Sequence, residues 1–227
     1  MQAVNSRAAV VSAVLTALFL VLLALVAAGW HPLRSFDRWA DQELHHWAVA
    51  HHGWTRANRV LTDWVWDPFT MRALLLAAVL WLLWRREWPP ALWVALTTAL
   101  ALALQQGVKA AVGRQRPVWP DPVDSGNHAA FPSGHAMTAT VGCGLLLWLA
   151  AEHGVRGPIW RLLVALAAVS VLGVGFTRVY LGVHWPSDVL GGWLLGGALV
   201  AAAIAAYPVF AARLGEPVRS PDERRPR

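Results

Sequence analysis

The chain is poor in most of what a soluble, redox-active or metal-bound protein would use. It has one cysteine, Cys143, inside an apolar run, so an intrachain disulfide and a cysteine-based metal site are excluded. Only 14% of its residues are charged, and no dense basic stripe interleaved with aromatics appears. The net charge of +6 comes from arginines in short loops and the tail, so no nucleic-acid partner is expected. No cluster of carboxylates offers a magnesium site. No internal repeat is present. Lysine is almost missing too: Lys109 stands alone beside eighteen arginines.

What is abundant is apolar surface. With 57% hydrophobic residues and a mean hydropathy of +0.45, an ordinary soluble domain is excluded and a membrane protein is expected. A spanning helix needs about 20 mostly apolar residues. Six stretches qualify: 8–29, 69–84, 91–108, 135–151, 158–177 and 186–207. The first is longer than the roughly 7–15 residues of a signal-peptide core, which favours a retained anchor. Arg72, near one end of the second, is placed to snorkel to the headgroups. Trp30, Trp84, Trp88, Trp160 and Trp185 flank the apolar runs, as interfacial belts do. The expected fold is all-α: a six-helix transmembrane bundle forming one domain over 1–227, with the catalytic helical core at 69–207.

Arginine counting orients it. With the N-terminus cytoplasmic, ten arginines fall inside against eight cations outside, and ten against four once the motif cations Lys109, Arg114, Arg116 and Arg178 are set aside. Both termini are then cytoplasmic, with 208–227 a cytoplasmic tail that is expected to be disordered after Ala212. The outer segment 31–68 carries Phe36, Trp39, Ala40, Leu44, Trp47 and Ala48 at helical spacing, an amphipathic helix on the membrane surface and a candidate lid or lateral gate. Its histidines (His45, His46, His51 and His52) are read as a solvated polar face, since adjacent pairs diverge by about 100° on a helix and no metal site follows. Gly192-x3-Gly196 is read as close packing within the chain, so no oligomeric state is inferred.

Three polar clusters interrupt the apolar second half: Lys109-x6-Arg116-Pro117, Pro132-Ser133-Gly134-His135 and Arg178-x5-His184-x3-Asp188. An even number of crossings separates them, so all three face one aqueous side. Charged groups in spanning helices cost about 2.5–3.5 kcal/mol each on insertion scales, and several together call for a functional reason. Pro132-Ser133-Gly134 opens a helix, where backbone N–H groups and the dipole make an anion site, and Gly134 permits close approach. Lys109 supplies a point charge and Arg116 a bidentate fork for phosphoryl oxygens. Pro186 suits a first helical turn, placing Asp188 four residues after His184, where it can fix one imidazole nitrogen and leave the other as nucleophile. Arg114 and His128 lie nearby but stay outside this catalytic set.

The clusters resemble the signature of the type 2 phosphatidic acid phosphatase superfamily, K-x6-RP, PSGH and SR-x5-H-x3-D. The match runs over roughly residues 70–205, with Thr177 where the family has serine. The resemblance implies a metal-independent, cofactor-free membrane lipid phosphatase. Lys109, Arg116 and Arg178 would hold the phosphate with Ser133 and the Gly134 N–H. His184 would attack phosphorus to give a phosphohistidine, oriented by Asp188. His135 would protonate the leaving oxygen and then activate water. An outer-face site suits undecaprenyl diphosphate, with phosphatidylglycerophosphate, phosphatidic acid or another polyprenyl phosphate as alternatives. The related vanadium haloperoxidases are soluble, unlike a chain with six candidate spans, and a non-catalytic lipid binder would not need His184, His135 and Asp188 together.

Overall fold

The structure, a computed structural model, describes residues 2–215. The tail beyond 215, expected to be disordered, lies outside the described residues. Eight α-helices account for the architecture: α1 (Gln2–Ala27), α2 (His31–Ala50), α3 (His52–Val60), α4 (Pro68–Trp84), α5 (Trp88–Val112), α6 (Gly134–Glu152), α7 (Gly157–Tyr180) and α8 (Pro186–Arg213). A π-helical turn (Leu61–Val65) joins α3 to α4, and no strand occurs among the described residues. Among the described residues, six helical stretches are long and apolar enough to cross a membrane, the second running from His52 to Trp84 through the π turn. The fold is an all-α, multi-pass membrane bundle.

Its packing is inside-out relative to a soluble domain in the way a bilayer demands. Val14, Leu20, Leu76, Leu100 and Leu172 are exposed on helix flanks, where lipid rather than water suits them. The core is formed where helices touch: Leu75, Leu82, Val94, Met137, Val141, Leu145 and Trp148 pack α4, α5 and α6 together. α8 is the central post, in contact with α1, α5, α6 and α7. Small residues let it approach α6. A Cβ at Gly192 would lie 2.8 Å from the Ser133 carbonyl oxygen and 3.0 Å from the Met137 nitrogen, and one at Gly196 would lie 3.0 Å from Thr140 Cβ.

The outer segment differs from expectation in two ways. First, it is a broken helix: the chain turns at His51 (φ −120°, ψ 65°) before α3 begins. Second, part of the expected solvated face is buried. Asp37, Asp41 and His45, spaced by four along α2, are buried, whereas Phe36, Trp39 and Trp47 are exposed. His46, His51 and His52 remain exposed, and His45 departs from them. It stacks on Trp119 at 3.9 Å between ring centroids, with Nε2 3.1 Å from Asp121 Oδ1. Asp37 and His45 meet polar partners there, Arg114 and Ser187 for the first and Asp121 for the second. Leu44 and Ala48 pack beside them on Tyr180, Leu181 and Val183.

Candidate active site

Helix punctuation builds the site. α5 ends at Gly113, whose left-handed φ of +59° lets its N–H reach Lys109 O at 3.0 Å, so Lys109 sits in the closing turn. α7 ends at Tyr180, putting Arg178 in its last turn. Cations at two helix C-termini meet favourable dipole ends. Facing them are two N-termini. Ser133 caps α6, its Oγ accepting from Ala136 N at 3.5 Å, and Pro186 opens α8 with Asp188 in the first turn. Ser133 N donates to Asp188 O at 2.9 Å, tying the second cluster to the third. His135 follows, half-buried and within electrostatic range of Arg178, His184, Arg116 and Lys109.

The cations are held mainly by neutral groups, which leaves charge for a ligand. Lys109 Nζ donates to Ala129 O. Arg116 donates to the carbonyls of His128 (3.0 Å), Val183 (2.6 Å) and Asn127 (2.9 Å). Arg178 NH1 lies 3.3 Å from Thr62 Oγ1 on the π turn and 3.6 Å from Asp124 Oδ2. Arg178 Nε is buried with no hydrogen-bond partner among the described residues, a spare donor in a dry place. Thr177, at the position of the family's serine, turns its hydroxyl to Val174 O at 2.8 Å, so it braces α7.

His184 is 1% exposed, in the turn between α7 and α8. Arg116 NH1 lies 3.0 Å from its Nε2, and a guanidinium can only donate, so Nε2 carries the lone pair. The proton therefore sits on Nδ1, 3.4 Å from Asp188 Oδ2. Burial first, then the charges of Arg116, Arg178 and Lys109, hold the His184 pKa well below the usual histidine value. A neutral imidazole with its lone pair turned toward the cations is the state a nucleophile requires.

Residues 90–211, more than half of the chain, match the profile of the PAP2 superfamily. The chain belongs to that superfamily. It is 30% identical over 143 residues to the undecaprenyl-diphosphatase of Sulfolobus acidocaldarius, covering 59% of each chain. It is 37% identical over 122 residues to the decaprenylphosphoryl-5-phosphoribose phosphatase of Mycobacterium tuberculosis, covering 51% of this chain and 60% of that one. The matches thus span less than two thirds of those relatives' lengths. The fold resembles the crystal structure of a transmembrane PAP2-type phosphatidylglycerolphosphate phosphatase from Bacillus subtilis. The TM-score is 0.72 at 24% identity, over 92% of this chain and 98% of that one.

Every residue that the sequence designated converges at this end of the bundle. Others there had no motif to announce them. Arg114 bonds Asp188 Oδ1 at 2.6 Å and Asp37 Oδ2 at 2.7 Å, and Thr62 and Asp124 flank Arg178. Asp41 is fully buried with neither oxygen hydrogen-bonded among the described residues, its pKa pushed up to about 8 by burial and by the charges of Asp188 and Asp37. The one available signal was the four-residue spacing of Asp37, Asp41 and His45 on α2. A cavity of about 610 Å³ opens beside Arg116, lined also by Trp119, Asp124, His128 and Val183.

Proposed function

We propose that this chain is a metal-independent lipid phosphatase acting through a phosphohistidine. The carrying observation is the disposition of His184, with its lone pair on Nε2 beside Arg116 and its Nδ1 proton toward Asp188. Lys109, Arg116 and Arg178 hold the phosphoryl oxygens, assisted by Ser133 and the Gly134 N–H at the start of α6. Nε2 attacks phosphorus in line while His135 protonates the departing oxygen. Asp188 orients the ring and balances the charge it gains. His135 then removes a proton from water, which displaces His184 and releases inorganic phosphate. Two steps replace one of the slowest uncatalysed hydrolyses, for which accelerations reach ~10²¹. The cations supply the charge stabilisation that metal ions provide in other phosphoryl-transfer sites.

The substrate we favour is undecaprenyl diphosphate, cleaved to undecaprenyl phosphate at the extracytoplasmic face with both termini cytoplasmic. The name of the Sulfolobus relative supports it, and an outward-facing site suits recycling of a cell-wall lipid carrier. A second reading, phosphatidylglycerophosphate, draws support from relatives in Bacillus subtilis and Escherichia coli named phosphatidylglycerophosphatase B, matched over 68 and 75 residues. Phosphate release from purified undecaprenyl diphosphate, phosphatidylglycerophosphate and phosphatidic acid, in detergent with EDTA, is the test. Undecaprenyl diphosphate is expected to turn over fastest. Hydrolysis of none of the three, or full activity in His184→Ala, would refute the enzyme.

A further inference from the structure

We propose that Arg114 and Asp37 are positioning residues for the His184–Asp188 pair, which makes α2 part of the reaction machinery. The proposal rests on His184 being the nucleophile. Asp188 gives its two oxygens different partners. Oδ2 accepts from Trp185 N at 2.9 Å and faces His184 Nδ1, while Oδ1 accepts from Arg114 NH1 at 2.6 Å. Arg114 continues the chain of contacts. Its NH1 also donates to Ser187 Oγ at 2.7 Å, and its NH2 donates to Asp37 Oδ2 at 2.7 Å. Ser187 then donates twice to Asp37, from Oγ to Oδ2 at 2.5 Å and from N to Oδ1 at 3.0 Å. The Arg114 guanidinium lies 5.7 Å over the Trp185 ring. A continuous path therefore runs from α2 to the imidazole.

Docking of α2 does not explain this arrangement. Leu44 and Ala48 already pack on Tyr180, Leu181 and Val183, and Asp188 already caps α8 through Trp185 N. Asp37 and Asp188 are 1% and 0% exposed, and buried ion triads are often no more stabilising than well-packed apolar residues. What the triad does supply is a fixed carboxylate. With Oδ1 clamped, Asp188 cannot turn away from Nδ1, and the 3.4 Å separation can shorten as the ring gains charge. Asp37, Arg114 and Asp188 together carry a net charge of −1, opposing the cations around the ring. His184 faces Arg116 from the loop 113–133, Lys109 from α5, His135 from α6, Arg178 from α7 and Asp188 from α8, with Asp124 beside Arg116 and Asp41 behind Asp188.

The experiment measures phosphate release from undecaprenyl diphosphate and phosphatidic acid by the full chain in detergent, with active sites counted by the labelled phosphoenzyme burst. Asp37→Asn keeps the shape and removes one charge. It is expected to lower kcat per site about 10-fold to 100-fold with KM nearly unchanged, the size of effect that misorientation produces. The charge changes should move the acid limb of kcat/KM in opposite directions. Asp37→Asn shifts it down, and Arg114→Met shifts it up, each by about one pH unit for a unit charge roughly 10 Å away at an effective dielectric constant near 20. Arg114→Lys keeps the charge but loses the fork, so kcat falls while the limb stays. Should Arg114→Met not fold, the Asp37→Asn and Arg114→Lys pair carries the comparison. Lower yield or melting temperature with wild-type kcat per site, KM and pH profile overturns the positioning role alone. An inactive wild type, or an active His184→Ala run alongside, overturns the phosphatase reading and this proposal together.

Discussion

Asp41→Asn isolates the least expected group in the structure. The Asp41 carboxyl is fully buried, has no hydrogen-bond partner among the described residues, and has its pKa pushed up from 3.8 to about 8. Burial is the main cause, and the negative neighbours Asp188 and Asp37 add to it. The sign follows from proton counting. Between pH 4 and 8 the folded chain keeps a proton on Asp41 that the unfolded chain has released, so stability falls as pH rises. The slope is about 1.4 kcal/mol per pH unit, flat again above about pH 8. From pH 5 to 8 the loss is up to about 4 kcal/mol, an upper value because water entry and local relaxation soften burial. Asparagine has nearly the same shape and does not titrate, and every other group cancels when variant and wild type are compared. At roughly 2–4 °C per kcal/mol for a chain of this size, the melting advantage of Asp41→Asn should widen by up to about 8–16 °C from pH 5 to pH 8. It should then hold constant to pH 9. Tryptophan-fluorescence melts in detergent at half-unit pH steps measure this. A pH-independent gap, or one that closes as pH rises, refutes the protonated, desolvated Asp41.

Asp188→Asn keeps an oxygen able to accept from Trp185 N and from His184 Nδ1–H, but it removes the charge that balances the ring and turns an amide NH2 toward Arg114. Single-turnover kinetics should show phosphoenzyme formation slowed by roughly 10³-fold or more, by analogy with the loss when the orienting carboxylate of a catalytic histidine is made neutral. Thr62→Val removes the hydroxyl 3.3 Å from Arg178 NH1, and the Ki for inorganic phosphate should rise about threefold to tenfold, as for loss of one modest hydrogen bond. Gly192→Val drives a side chain into the Ser133 carbonyl, 2.8 Å from the Cβ position, so size-exclusion yield and activity should fall together at a cost of about 1–3 kcal/mol or more. Gly113→Ala, in open space but at φ +59°, should cost only about 1 kcal/mol and leave KM unchanged, which separates backbone strain from steric collision.

Membrane crossings were legible because a bilayer imposes a length and a polarity on each helix that few sequences meet by chance. The three clusters stood out because charged groups at the ends of apolar helices are costly and therefore rare. α2 was misread for a physical reason. Hydrophobic periodicity tells which face is polar but not what that face meets, and here it meets an arginine, a serine hydroxyl and the start of α8 instead of water. Arg114 shows the same limit: two residues from Arg116, in a loop with no periodicity, nothing local distinguishes a phosphate clamp from a carboxylate clamp.

The division between one-dimensional and three-dimensional information is therefore sharp. The number of membrane crossings and the alternation that sends Lys109, His135, Arg178 and His184 to one end of the bundle are written in local sequence, because each depends on neighbours within a few turns. The tautomer of His184, the burial of Asp41 and the path from Asp37 through Arg114 to Asp188 were decided only by tertiary structure. Those depend on dielectric and on hydrogen-bond partners up to 150 positions away along the chain, the separation of Asp37 and Ser187. Close approach of backbones at Gly192, within the Gly192-x3-Gly196 pair, brings the α6 turn onto the head of α8.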